Sequence, residues 1–382
     1  MMQQLFISSY NIISPLGATG KENFDKLQNG ISGVTQHQRT DIDEDPFWAS
    51  LISDEQMKRY CVEISGKEKY TRFEKLLIAS ISDAAKNSAI NISDTKTVFI
   101  FSTTKGNISL LDDETVSEDD ERLTLFYSAK KITNYFQNTS KPFVISNACI
   151  SGSMAILFAQ RLLETGQFDN AVVAGADTIS KFVFSGFKSF QALSPQRCQP
   201  FSLNRDGINL GEAAATLILT KNESDKNLNV VFSGGAITND ANHISGPSRT
   251  GEELSNAINQ AVYVSGISEN EIGFISAHGT ATLFNDEMEA NAFHRSKLDA
   301  TPVNSLKGYF GHTLGASGIL ESVISIISLQ KNTVIASAGF IEIGVTQLVN
   351  VCTQNLKTNS DHLLKTASGF GGCNAALIFS KY

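Results

Sequence analysis

The chain has 382 residues, 41% of them hydrophobic and 18% charged, and its 31 lysines and arginines against 39 aspartates and glutamates leave a formal charge of −8. A chain of that size and apolar content is not disordered as a whole and has room for a large core in one big domain or two. The acidic balance argues against a nucleic-acid coat or a strongly basic membrane-surface protein. Cysteines stand at 61, 149, 198, 352 and 373, an odd and widely spaced set without a C-x-x-C pair, so neither a disulfide framework nor a zinc site is expected. The N-terminus has no positive region ahead of its short apolar stretch, and no later window supplies about 18 unbroken apolar residues. The expectation is a soluble protein of a reducing, cytoplasmic compartment with no membrane partner.

Glycine is plentiful at 28 and proline scarce at 7, which suits tight strand-to-helix turns better than proline-rich linkers. The first clear helix signal is 71–90, where Thr71 and Glu74 form a capping-box signature and Phe73, Leu77, Ile81, Ala84 and Ala85 recur at helical spacing. Residues 97–101 (TVFIF) read as a buried strand. Acidic side chains concentrate in 111–122; with no EF-hand spacing, a solvated loop or helix face is the reading, not a metal site. Strands at 142–145, 171–174 and 214–219 and helices over 151–163 and after the GHTLGASG motif complete an alternating α/β pattern. The polar, aperiodic run 221–227 is the expected seam between an N-terminal half, 1–220, and a C-terminal half, 228–382.

Chemistry concentrates at three of these junctions, and the G-x-S-x-G, phosphate-loop and H-E-x-x-H motifs are all missing. In KPFVISNACISGSMAILF an apolar strand runs into Cys149, and small residues then open a helix. Free N–H groups and the positive end of a helix dipole at such a turn favour thiolate over thiol, which describes a nucleophile; a buried structural cysteine is the alternative. His278, in FISAHGTATLFNDEMEA, and His312, in VNSLKGYFGHTLGASGILE, also lie at strand or helix ends, where open loops carry binding groups in α/β proteins. Each histidine alone is as compatible with a satisfied structural role as with catalysis.

The blocks NACISG, HGTATLFNDEMEA, NSLKGYFGHTLGASGILE and GFGGCNAALIF, in that order and spacing, resemble the β-ketoacyl-acyl-carrier-protein synthases, elongating condensing enzymes of the thiolase fold. SYNIISPLG, AVVAGADTI and LNRDGINLGEAA extend the likeness over nearly the whole chain. The resemblance implies a five-layer α/β/α/β/α sandwich of two similar halves with the nucleophile and histidines converging between them. It makes Cys149 the acylated nucleophile, His278 and His312 the pair acting on the malonyl unit, Lys307 the family lysine and Glu321 the buried acid. Asp286 and Glu289 match acids holding that lysine and the histidine loop. Thr280 and Thr282 match hydroxyls that bond the pantetheine arm, and Phe370 matches a gatekeeping aromatic whose N–H joins that of Cys149 in an oxyanion hole.

The implied activity is decarboxylative Claisen condensation of an acyl thioester with malonyl carrier, in fatty-acid or polyketide-type synthesis, without metal or organic cofactor. The implied partners are acyl- and malonyl-loaded acyl carrier protein, with a second identical chain or a chain-length-factor-like subunit completing a dimer. Two other readings are a non-catalytic chain-length partner, which would lack the nucleophile, and a cysteine hydrolase, which would leave the second histidine, the lysine and GFGG unexplained. The chain departs from the family pattern at Leu283, where a proline is usual, at Cys373 and Ala213, in 332–349 and in the short acidic segment 106–140, so acyl specificity is not transferred. Lys67, Lys69, Arg72 and Lys75 gather near one helix start as a docking patch for an acidic carrier, or as an ordinary solvated face, and Arg205 matches an arginine near the tunnel mouth.

Overall fold

The computed structural model describes residues 4–64, 69–113, 115–242 and 245–382. Eleven strands hydrogen-bond into one main sheet. The first part of the chain supplies β1 (Leu5–Ile13), β2 (Thr97–Ser102), β3 (Phe143–Ile145), β4 (Asn170–Asp177) and β5 (Ala213–Thr220). The second supplies β6 (Val230–Asn239), β7 (Ile272–Ser276), β8 (Pro302–Asn304), β9 (Asn350–Val351), β10 (His362–Gly369) and β11 (Cys373–Lys381).

The strand order repeats. It runs β1-β5-β4-β2-β3 in one half and β6-β11-β10-β7-β8 in the other, where β9 adds an outer edge. In both, the first two pairings are antiparallel and the next two parallel. The half-sheets touch through the short pairing Leu5↔Phe232 and Phe6↔Val231, which is why they form one ladder and not two separate sheets.

Helix α1 (Arg72–Lys86) covers the outer face of the first half-sheet, against β1, β4 and β5. Its Thr71–Glu74 capping box forms as the sequence predicts, with Glu74 N–H donating to Thr71 Oγ1 and Thr71 N–H to Glu74 Oε2. Helix α2 (Ser151–Glu164) and helix α5 (Ser317–Gln330) fill the space between the half-sheets, while α3 (Glu252–Ser265) and α4 (Leu283–Arg295) cover the far side of the second. The layers are therefore α/β/α/β/α, the architecture expected of a thiolase-like chain. Helix α5 is buried from Ser317 to Leu329, because sheet or helix lies on every side of it.

The two central helices cross backbone against backbone. A Cβ on Gly152 would stand 2.8 Å from Ile319 N, and one on Gly318 2.3 Å from Ser153 N. Only glycine permits this approach, and it brings the residues just ahead of α2 and α5 together. The run 221–227 holds a single turn, Glu223–Asp225, between β5 and β6. The acidic run carries the short turns Ile108–Asp112 and Glu121–Leu123, with Asp120 paired to Arg122; Glu114 lies outside the described residues. Among the described residues no helix is long and apolar enough to cross a membrane.

Candidate active site

Cys149 sits on a tight turn between β3 and α2. Ala148 takes φ +44°, a left-handed conformation uncommon for a side-chain-bearing residue and characteristic of strained functional turns. Ser151 pins the turn: its Oγ accepts from Asn147 N–H at 2.8 Å and donates to Ala148 O at 2.6 Å. The GFGG loop between β10 and β11 lies against it. A Cβ on Gly369 would be 3.1 Å from Cys149 N, and the Phe370 N–H donates toward the Cys149 sulfur.

His278 follows β7, and His312 follows β8 and precedes α5. The Cys149 Sγ and a ring nitrogen of each histidine all lie within 4.8 Å of one another, and the imidazoles meet edge to face with centroids 5.3 Å apart. All three residues are buried. Neither ring nitrogen of His312, nor Nδ1 of His278, has a protein hydrogen-bond partner among the described residues. Buried polar groups are normally paired, so these nitrogens are available to a substrate. Among the described residues these three side chains are also the one group of histidine, cysteine or acid spaced to hold a metal ion, and any such ion would occupy the sulfur.

The loops that carry the histidines are held by buried acids. Glu289 accepts the N–H of His278 at 2.8 Å and of Gly279 at 2.6 Å, together with Thr366 Oγ1 at 2.9 Å. Asp286 accepts from Phe201 N at 2.7 Å and Thr280 N at 3.0 Å; burial pushes its carboxyl up to about 7. Neither acid holds Lys307, contrary to the expectation. Lys307, itself fully buried, pairs with Glu321 and donates to Ser317 Oγ at 3.1 Å, because α5 brings Ser317 and Glu321 one turn apart onto its ammonium. Thr280 and Thr282 share a hydrogen bond of 2.8 Å on the cleft wall.

Burial sets the electrostatics of the three groups. Burial pushes the Cys149 thiol up to about 11, against the opposing pull of Lys307 and the Phe370 N–H. Desolvation outweighs these two pulls and favours the thiol over the thiolate. Burial first, and then the charge of Lys307, holds both His278 and His312 well below the usual histidine range, which leaves both rings neutral.

The three groups open into a cleft of about 600 Å³ whose wall includes Phe187, Phe190, Thr280, Thr282, Phe284 and Phe370. The Phe370 ring lies with its centroid 6.0 Å from that of Phe187 in near-parallel stacking and 5.4 Å from that of Phe190. Two groups missed in the sequence complete the frame. Asp177, at the end of β4, accepts Thr104 N, Thr103 Oγ1 and, at 2.7 Å, Gly315 N, which ties the loop after His312 to the first half. Lys365, in the middle of β10, is buried with its Nζ 2.7 Å from Glu321 Oε2. The available signal was a charged residue at the end of an apolar strand run for Asp177 and one directly after two leucines of a buried strand for Lys365.

The docking patch is not assembled as expected. Arg72 is spent inward on Glu212 and the Ile52 carbonyl as well as on Asp54, and Lys67 lies outside the described residues. Arg205 is buried and bonds the carbonyls of Ser202, Gly344 and Leu283, so it fastens the loops at the cleft mouth. Leu283, where a proline was usual, opens α4 behind Thr282 and is solvent-exposed, and Cys373 accepts a contact from Asn239 Nδ2 at 3.1 Å.

The family model described as "Beta-ketoacyl synthase, N-terminal domain" matches residues 2–225, and "Beta-ketoacyl synthase, C-terminal domain" matches 230–340. The chain belongs to the beta-ketoacyl synthase family. Among curated members it is 25% identical over 412 residues to 3-oxoacyl-(acyl-carrier-protein) synthase 2 of Staphylococcus aureus, covering 100% of this chain and 99% of that one. Against the Mycobacterium leprae protein of the same name it is 29% identical over 250 residues, 62% of this chain and 60% of that one. Among solved members it is similar to a ketosynthase from Xenorhabdus doucetiae in complex with its chain length factor, at 26% identity and a TM-score of 0.85 over 100% of this chain and 98% of that one. A beta-ketoacyl synthase from Burkholderia phymatum, at 22% identity and a TM-score of 0.85 with both chains fully covered, shares the fold.

Proposed function

We propose that this protein is a condensing enzyme that joins an acyl thioester to malonyl-acyl-carrier protein with loss of carbon dioxide. The observation that carries the reading is the convergence of one thiol and two neutral imidazoles, within 4.8 Å of one another, from distant stretches of chain. In the first half-reaction the Cys149 sulfur attacks the acyl-carrier thioester. Its proton ends on the departing carrier thiol, and the acyl group remains on sulfur. The N–H groups of Cys149 and Phe370 stabilise the tetrahedral oxyanion, and glycines in GFGG let the backbone come close.

In the second half-reaction malonyl-carrier thioester loses carbon dioxide, and its electron pair becomes an enolate. Neutral imidazoles are suited to donate N–H to that oxygen, and His278 and His312 take this role. The enolate carbon attacks the Cys149 thioester, the carbon–sulfur bond breaks, and the sulfur takes up one proton as the ketoacyl carrier leaves. Lys307 and Glu321 fix the donors' surroundings, Asp286 and Glu289 hold the histidine turn, Thr280 and Thr282 meet the pantetheine arm, and Phe370 gates the cleft. We read the units as 1–220 and 228–382, supported by the repeated strand order, and the protein as a cytoplasmic dimer. The dimer is read first as two identical chains, with a chain-length-factor-like subunit as the second form; the Xenorhabdus ketosynthase, solved in complex with its chain length factor, supports that second form.

Intact-mass measurement tests the reading. Mixed with acyl carriers of graded chain length, the protein should gain one acyl group at Cys149, and addition of malonyl carrier should remove it and yield ketoacyl carrier. C149A should do neither. Failure of every acyl donor to label Cys149 would favour the non-catalytic partner reading.

A further inference from the structure

Lys365 is a buried ionisable group that the chemistry above leaves without a task. It lies in mid-strand between Leu364 and Thr366, fully buried, and its neighbours are not accidental. Its Nζ donates to the carbonyls of Ser276 at 3.2 Å, Ala277 at 3.4 Å and Thr366, and stands 2.7 Å from Glu321 Oε2. Ser276 and Ala277 are the last two residues before His278. The turn that carries the imidazole is thus gripped on its carbonyl side by Lys365. On its amide side Glu289 grips it, and Glu289 is bonded in turn to Thr366, the next residue of β10.

The buried charges give a second reason. Glu321 receives two ammonium groups, Lys307 at Oε1 and Lys365 at Oε2. A buried cation is unfavourable unless paired, and Lys365 meets two buried acids, Glu321 directly and Glu289 through its field, each of which also serves the histidine site.

We propose that Lys365 is a positioning residue for the malonyl half-reaction, tying the His278 turn to the Glu321–Lys307 pair and placing a second ammonium beside the two imidazoles. This rests on the condensing function proposed above. The titratable groups facing Lys365 are Glu321 and Lys307 from the α5 side, Glu289 from α4, and His278 and His312. Burial pulls the Lys365 ammonium down and Glu321 holds it up, while Lys365 is among the charges that keep His278 and His312 neutral.

Two substitutions separate the roles: K365M removes charge and donor, and K365Q removes charge while retaining an N–H for the carbonyls. In both, acylation of Cys149 should stay within about threefold of wild type. Conversion of malonyl carrier to acetyl carrier by acyl-free enzyme should fall about 10–100-fold in K365M, the usual effect of losing a group that orients a site residue, and less in K365Q. Loss of the ammonium makes imidazole protonation easier, so the acid limb of the decarboxylation profile should move to higher pH in both. Equal loss in both half-reactions, no loss in either, or an unmoved acid limb would overturn the inference. So would failure of both variants to unfold cooperatively, which would make Lys365 purely structural. A wild-type protein that neither acylates nor decarboxylates would instead sink the function itself and this inference with it.

Discussion

The two halves share a scaffold and carry different chemistry. In each, the fourth strand along the repeated order leads to a fifth, parallel strand and then into a central helix: β3 into Cys149 and α2, β8 into Lys307, His312 and α5. The first half surrounds its turn with hydroxyls and with Asp177, whose oxygens are used by backbone and threonine donors. The second supplies His278, His312, Lys307, Lys365, Glu289 and Glu321. The division follows the proposed chemistry. A nucleophilic sulfur needs a dry pocket and backbone donors, whereas handling an enolate needs fixed N–H groups and charge. A repeated topology with its central helices in contact places Cys149, His278 and His312 on one cleft, with the charged residues buried behind it.

Several experiments would break or sharpen that contrast. The largest effect is expected at the sulfur. With the thiol pushed up to about 11 by burial, alkylation of Cys149 by iodoacetamide should rise about tenfold per pH unit between pH 7 and 10 as the thiolate fraction grows. A plateau near pH 7 would show that the helix start does overcome desolvation. Next come the imidazoles: H278A and H312A should each reduce malonyl decarboxylation on the order of 10²–10³-fold, the cost of one oxyanion donor, while Cys149 still takes up an acyl group. Loss of acylation in either variant would erase the separation of tasks between halves.

The interface between halves can be tested at Gly152. G152A would press a methyl onto Ile319 N and should cost about 1–3 kcal/mol by denaturant midpoint, with G318A at least as severe. A neutral result would mean that the helices separate freely. Acid stability bears on the second half. Folded His278 and His312 sit below the unfolded value of about 6.5, so below that value the unfolded chain binds more protons. Their contribution, present above pH 6.5, should be lost as pH falls toward their folded values, and H278N/H312N should flatten that slope. The smallest effect belongs to the outer layers. T71A removes the α1 cap and should cost about 1 kcal/mol in thermal unfolding, whereas α3 begins at Gly251 with no side-chain cap to lose.

Much of this was legible beforehand, for identifiable reasons. The α1 capping box, the strand at Thr97–Ser102 and the helix from Ser151 depend on local sequence, and they stand where the pattern placed them. Strand β4 ran on through Gly175, Ala176 and Asp177, past the apolar run, because its ladder with β5 continues to Asp177↔Ala213. Arg72 is withdrawn from the expected docking patch because local spacing brings it near Lys69 and Lys75 but gives no hint of Glu212, which lies 140 residues away and takes the guanidinium.

The order of residues in the chain determined which groups exist for chemistry and which turns present them: a cysteine and two histidines, each at the end of a strand or the start of a helix, with small residues beside them. Tertiary structure alone decided their protonation and their partners. Whether Cys149 is thiol or thiolate depends on how much water the surrounding layers exclude. That Lys307 and Lys365 share Glu321 depends on β10 and α5 meeting in space, since ionisation and pairing are set by distances through the folded interior and not along the chain.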